Sequence, residues 1–454
     1  MTTSVPEPRK KRRPPWWIWP LGLLVFLVVG HTVWTLVWRH RYESRLEALR
    51  AAGERLEVSE FVPEPASDHR NAAVPFAEAE RWYDEYLGTF EDDLEQLESL
   101  ERWAKGRSDS KVEEQRARVQ DALARGDPYV ALLKQTVARP DWREPLDWGA
   151  GIDMRSKTGP RLRKAMEFMV QRIVRAPRVE EQQVEELQLI IRLALHVDSP
   201  GILGLFLNWA AHEEALDALQ GMSRLPEFEA RAVWDRVAAD LDPSPLVERL
   251  PRAVTLERAF GVEVTRHLLD GRNLLEYIDS ILDDVPGRSR ADGWWSWPYA
   301  ALLYRDGVAQ LDLFEMWLAH LPTEPWVDFP MPEEWQHRDL MPRDQIIWAL
   351  FTPMPRLSIE RRRQYLARMR IARVGLALHV IRQRTGAWPA SLEAVDPMLL
   401  PEDRIDPYTG ERFLWDPGVR LAADVPLHEG ETLESAREFE RLIEWRFGAS
   451  ESRR

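Results

Sequence analysis

The sequence predicts a mainly α-helical protein with a single transmembrane helix, an irregular multi-helix array and a small C-terminal α+β module of one long helix plus short strands. Three observations predict it. An uncharged apolar run lies near the N-terminus. One-sided apolar stripes at 3.6-residue spacing fill the middle of the chain. A helix, turn and strand follow in that order between residues 358 and 420.

The run from Trp16 to Trp38 holds no charged residue over 23 positions. At about 1.5 Å rise per residue it covers the roughly 30 Å of bilayer hydrocarbon. Trp16, Trp17 and Trp19 mark one end, Trp34 and Trp38 the other, as expected of indoles that settle among headgroups. Pro20 falls in the first turn, where a missing N–H costs least. A compact block, Arg9, Lys10, Lys11, Arg12 and Arg13, abuts the span on its N-terminal side. On the other side Arg39, Arg41, Arg45 and Arg50 are spread out and mixed with Glu43 and Glu47. The positive-inside rule therefore assigns residues 1–15 to the cytoplasm, residues 16–38 to the inner (cytoplasmic) membrane as a signal-anchor, and the body to the outside. A cleavable signal peptide would end in small residues, and Thr35-Leu36-Val37-Trp38 is a poor cleavage site.

A juxtamembrane helix over about 39–53 and a proline-containing linker complete residues 39–75. The helical body spans 76–321. Within it, the acidic stretch Ala77 to Ala104 offers Trp82, Tyr86, Leu94 and Leu97 as core positions, and Lys111 to Leu123 is highly charged. Stripes follow at Leu162, Met166, Met169 and Ile173; at Val184, Leu187, Ile191 and Ala194; and at Leu205, Trp209, His212, Leu216 and Leu219. Others run through Ala230, Val233, Val237 and Leu241, through Leu256, Phe260, Val264 and Leu268 and on to Leu274, Ile278 and Ile281, and through Leu303, Leu311, Phe314, Leu318 and Leu321. Pro and Gly punctuate the connections. No fixed repeat period is present. Residues 322–357 are rich in Pro and Trp and read as a linker with one short helix at Asp344 to Phe351.

Ser358 is a plausible N-cap for a long helix reaching Thr385, with Gly386 as its C′ residue. Its stripe is Tyr365, Met369, Ala372, Leu376 and Val380. Trp388-Pro389 follows, then the turn Asp406-Pro407-Tyr408-Thr409-Gly410, then the strand Phe413-Leu414-Trp415, with Phe413 and Trp415 facing back to the helix. Residues 421–454 form a tail with a helix. This order resembles the soluble part of type II secretion pseudopilins, whose long helix precedes a Pro-containing segment and an Asp-Pro-x-Gly turn leading into strands. The likeness covers roughly residues 360 to 416. The layout also resembles membrane-anchored bacterial proteins that join such a module to a helical body, a relation that names no activity.

Cysteine is absent, which excludes disulfides, thiol catalysis and Cys-based zinc or iron–sulfur sites. The N-terminal basic block leaves the rest of a chain of net charge −14 more acidic still, so a nucleic-acid partner is not expected. His212 precedes Glu213 but has no second His four residues on, so HExxH chemistry is missing, and its place on an apolar stripe marks it as a core histidine. His196 and Asp198 sit at a helix end and offer a pair of metal ligands; capping by Asp198 or plain solvent exposure is the reading we favour. Asp279, Asp283 and Asp284 read as a solvated helix end. Trp294, Trp295 and Trp297 are candidate glycan-binding residues, since flat indoles stack on sugar rings. The competing reading, which we favour, is a loop whose indoles plug the helical array. No residue is assigned a catalytic, cofactor-binding or metal role, and no cofactor is implied. The leading function is a non-enzymatic, membrane-tethered extracytoplasmic scaffold or interaction protein with a protein partner of unknown identity. The alternatives are a glycan-binding protein and a carboxylate-dependent hydrolase. Metal analysis of the purified chain should find no stoichiometric zinc; one zinc per chain would overturn that expectation.

Overall fold

The computed structural model describes residues 18–104, 109–148, 156–176, 179–225, 227–270, 300–321, 324–325, 327, 353–399, 401–423 and 443–447. The basic block, Trp16 and Trp17, the extension Leu274 to Ile281, the three aspartates from Asp279, the indoles Trp294, Trp295 and Trp297, and the helix expected at Asp344 to Phe351 lie outside these residues.

Helix α1 (Ile18–Ala51) is unbroken and joins two environments. From Trp19 to Gly30 every residue is exposed. Among the described residues it is the one helix long and apolar enough to cross a membrane. Its second half turns amphipathic: Tyr42, Leu46 and Leu49, spaced by four and three, are buried with Leu56, Val262 and Leu311. A 3₁₀ turn, Val58–Phe61, follows, held by the Glu60 carboxylate accepting from the Leu56 and Glu57 N–H groups at 2.7 and 2.8 Å.

The body is an array of helices paired with near neighbours in sequence. α2 (Ala73–Tyr86) packs on α5 (Asp127–Ala138), and α3 (Phe90–Ala104) packs on α4 (Ser110–Arg125). α6 (Thr158–Val174), α7 (Glu181–His196) and α8 (Gly201–Met222) form a mutual group. α9 (Ala230–Val237) and the short α10 (Ser244–Val247) lead to α11 (Leu250–Leu269), which packs on α8 and on α12 (Ala300–His320). α12 in turn lies along α1: Tyr304 meets Tyr42 at 5.9 Å, and Arg45 reaches Asp312 and Glu315.

The stripes of α6 through α9 are buried as the periodicity predicts. Two elements differ. The acidic stretch from Ala77 divides into α2 and α3 at Leu87-Gly88-Thr89. A Cβ on Gly88 would stand 2.8 Å from the Asp84 carbonyl. On α2 the inward face is Phe76, Ala79 and Tyr83, so Tyr86 is half-exposed and Trp82 only partly buried, the two rings resting on each other at 5.0 Å.

α13 (Pro353–Thr385) departs furthest from expectation. It starts five residues before Ser358, which is therefore not its N-cap: Ser358 is buried inside the helix and donates to the Pro355 carbonyl at 2.8 Å. A hydroxyl satisfied by its own helix has no N–H to cap. Every residue from Met369 to Ile381 is buried, not one stripe alone, because α8 and α9 cover one side and the C-terminal strands another. Gly386 ends the helix in the left-handed region, φ +79°, as the sequence predicts.

The turn after Asp406 closes as expected. Asp406 is buried, its carboxylate accepts the Tyr408 N–H at 2.9 Å, its carbonyl accepts the Gly410 N–H at 2.9 Å, and Ile405 bridges Arg412. β1 (Leu414–Asp416), β2 (Arg420–Ala422) and β3 (Glu444–Arg446) form an antiparallel sheet in that order, with Trp415 opposite Leu421 and Leu421 opposite Trp445. Phe413 is buried, while Trp415 is only partly so, its indole N–H donating to the Pro389 carbonyl at 3.1 Å. β3 was not foreseen, and its Trp445 takes the innermost place: a Cβ on Gly375 of α13 would stand 2.7 Å from that indole. Trp445→Ala should therefore cost about 3–5 kcal/mol and Trp415→Ala distinctly less, about 1–3 kcal/mol. Thermal unfolding of the whole chain checks the ordering, since α13 shares its core with the body. Equal losses would show that the sheet does not pack as described.

Candidate functional site

Among the concavities of the described surface, three differ in character. The first lies where α7 ends and α8 begins. Val197 to Pro200 carry the chain over, and Gly201 takes φ +75°. Its walls include Trp142, Trp148, Asp198, Ser199, Asn208 and Arg249. Arg249 donates to the Val197 carbonyl at 2.7 Å and to that of Leu195, while Asp198 pairs with Arg252 at 3.2 Å. Buried here without a partner are the Ser199 hydroxyl and the Asn208 amide oxygen. The space is about 40 Å³, room for a few waters bridging those atoms and too small for an organic ligand.

The second, about 470 Å³, lies between α5 and α7 and is lined by Asp127, Lys134, Glu181 and Glu185 around the Arg172–Glu186 pair. Arg172 also donates to the Leu123 carbonyl and to Asp127, so its charges are matched internally. It is a cross-brace between helices.

The third is different in kind. α8 stops at Met222, and Ser223 to Leu225 turn away. α13 stops at Thr385 beside them, and β3 ends at Arg446. These three ends enclose a bowl of about 500 Å³ with Phe228, His379 and Phe447 as its floor and Arg224, Arg382 and Arg446 on its rim. The floor residues are buried and the rim residues exposed. Each guanidinium is held by one neighbour. Arg382 lies over the Trp388 ring at 4.5 Å. Arg446 Nε donates to Glu444 at 2.7 Å. Gln220, with its amide oxygen toward both donors, accepts from Arg224 at 3.3 Å and from the Arg446 N–H at 3.0 Å. Gln383 is spent on structure: it donates to the Phe228 carbonyl and accepts the Ala230 N–H. The His379 ring is wedged among Phe228, Trp388 and Phe447, and its Nε2 is buried with no hydrogen-bond partner. Burial, and after it the Arg382 charge, push that imidazole down to about 4.

Of the residues weighed from the sequence, His212 is in the core. Its Nδ1 meets the Tyr365 hydroxyl at 2.9 Å, and burial pushes it down to about 3. His196 stacks edge-on to Trp142 at 6.2 Å, apart in role from Asp198. Burial raises Glu80, Glu214 and Glu257 each to about 7, but none lines the three concavities. Glu80 stands 3.9 Å from Arg161, and Glu257 accepts the Ile202 N–H at 3.0 Å. Among the described residues no group of three His, Asp or Glu side chains could hold a metal ion. The glycan candidates Trp294, Trp295 and Trp297 precede α12 in the chain and lie outside the described residues. The bowl was invisible in the sequence because its arginines come from positions 224, 382 and 446, each unremarkable alone.

Comparison with protein-family models, with curated proteins and with solved structures finds no match to this chain.

His379 makes a measurable contribution to acid lability. The unfolded chain takes up a proton near pH 6.5 that the folded chain refuses until about pH 4, so stability falls as pH drops across that window. The raised glutamates act with the opposite sign, but they cancel when wild type is compared with His379→Gln. Relative to that variant, wild type should lose roughly 1–3 kcal/mol between pH 7 and pH 4. Unfolding curves at several pH values decide it. A constant difference would mean that His379 takes up its proton in the folded chain as readily as in the unfolded one, so that neither burial nor the Arg382 charge lowers its affinity.

Proposed function

We propose that the protein is a membrane-fixed, non-enzymatic scaffold. Residues 16–38 cross the inner membrane with the N-terminus cytoplasmic, and the helical body presents its surfaces outside. The observation that carries this reading is the continuity of α1. The helix passes from an apolar, exposed half into the core of the body with no flexible residue between. A tether meant only to keep a domain near a membrane needs no such joint. A platform that must hold a surface at a set height and angle does. Ion pairs reinforce the joint: Arg45 to Asp312 at 3.0 Å, and Arg258, itself buried, to Glu54 at 2.6 Å. Gly307 lets α12 approach, since a Cβ there would stand 2.7 Å from the Tyr42 ring.

On this reading the pseudopilin-like order of residues 358–420 is a borrowed module turned into part of the scaffold. The support is the sequence of long helix, short 3₁₀ turns at Leu392–Met398 and Pro401–Arg404, and antiparallel strands. Its helix is enclosed by the body, which leaves it no apolar face for a filament.

Two measurements test the proposal. A reporter active only outside the cytoplasm, joined after Arg454, should be active; activity only from an N-terminal fusion would sink the topology. A flexible Gly-Ser insert of about ten residues between Trp38 and Arg39 should leave the protein folded and in the membrane but abolish its native crosslinks to neighbouring proteins. Unchanged crosslinks would show that rigid mounting is irrelevant.

A further inference from the structure

We infer that the bowl at the end of α13 binds an acidic peptide segment of a partner protein, one with apolar side chains between its carboxylates. This names the partner chemistry of the scaffold, yet it stands on the bowl alone and holds whichever way the chain lies in the membrane.

Arg224, Arg382 and Arg446 converge on one open space, and among the described residues that line it none is a carboxylate. Against their three charges stand Glu444 and the ends of α8 and α13, each helix end contributing about half a negative charge. The rim remains positive by about one charge, in a chain whose net charge is −14. Each guanidinium keeps donors to spare, because stacking or a single acceptor holds it: Arg382 on Trp388, Arg224 on Gln220. Pre-oriented forks of this kind suit planar carboxylates.

The floor gives the second half of the recognition. Phe228 and Phe447 are buried at its base, with the His379 ring packed between them. A free phosphate would satisfy the rim and leave the aromatic floor wet. A bilayer surface is flat and cannot enter a concavity of about 500 Å³. That volume lies within the range of ligand sites, roughly 300–1,000 Å³. An acidic, aromatic-containing peptide uses rim and floor together.

The experiment uses the detergent-solubilised full chain and a labelled six-residue peptide of alternating Asp or Glu and Phe. Binding should weaken with salt, and Arg224→Gln and Arg382→Gln should each weaken it roughly tenfold. Arg118→Gln, an exposed site on α4, serves as the control and should change nothing. Arg382 packs on Trp388, so its variant could loosen the fold; Arg224 is exposed and its variant tests the rim by itself, with unfolding midpoints confirming both. Arg382→Lys, which keeps the charge and loses the fork, should fall between wild type and Arg382→Gln. The proposal is overturned if the Asn/Gln version of the peptide binds as well, or if Arg224→Gln leaves the Kd unchanged. It is equally overturned if inorganic phosphate or phosphatidylserine vesicles bind at these arginines while the peptide does not.

Discussion

The fold depends on burying α13. A helix covered along its whole circumference from Met369 to Ile381 must find partners for any charge it brings inside, and this one carries Arg370 and Arg373 there. Arg373 pairs with Asp403, itself buried, at 2.9 Å and donates to the Ala238 carbonyl at 3.1 Å; Arg370 donates to the Ile405 carbonyl at 2.8 Å. Leaving one such charge without its partner costs about 3–5 kcal/mol, as much as truncating a large buried aromatic. The two arginines thus decide where the turn after α13 must lie. Asp403 and Ile405 immediately precede the Asp406 turn, which aims β1 back at the helix. The sheet is placed by charges that cannot be left alone, and Trp445 then fills the space over Gly375.

The same helix ties the module to the body. Tyr365 stacks on Trp209 of α8 at 5.4 Å, nearly parallel, and its hydroxyl meets His212. His212 is therefore a structural link between two regions about 150 residues apart in the chain, and its low affinity for protons follows from that place. From α8 the contact continues through α11 and α12 to α1. A load path of packed helices connects the apolar N-terminal helix with the C-terminal sheet, and each step is a helix pair whose interdigitation resists sliding.

Much of this was legible beforehand, and the limits are physical. The amphipathic stripes of α6 to α9 were readable because each has one buried face, so period alone locates it: Leu162, Met166, Met169 and Ile173 are all buried. α13 was legible in length at its C-terminal end, where Gly386 must adopt positive φ, but not in burial, since a helix covered all round shows no preferred face. Its start was misplaced because Ser358 looks like a cap whether or not its hydroxyl faces a free N–H. β3 left no signal: three residues, Glu444, Trp445 and Arg446, are too short for alternation to stand out. The bowl left none either, being an intersection of three chain ends. The glycan candidates remain a property of the sequence.

The position of the bowl follows from where burial stops. Beyond Ile381 α13 leaves the core, and Arg382 through Ala387 are exposed. Inside, each arginine is committed to a carboxylate or carbonyl that the fold requires; outside, Arg382 rests on an indole and Arg224 on an amide. The first kind cannot change without unfolding the chain. Of the second, Arg224 can vary at little cost, since exposed side chains contribute within about half a kcal/mol of stability, whereas Arg382 also packs on Trp388. The frame is thus fixed by costly internal charges, and the less committed arginines sit at its end, set by helices that pack back through α8, α11 and α12 to α1.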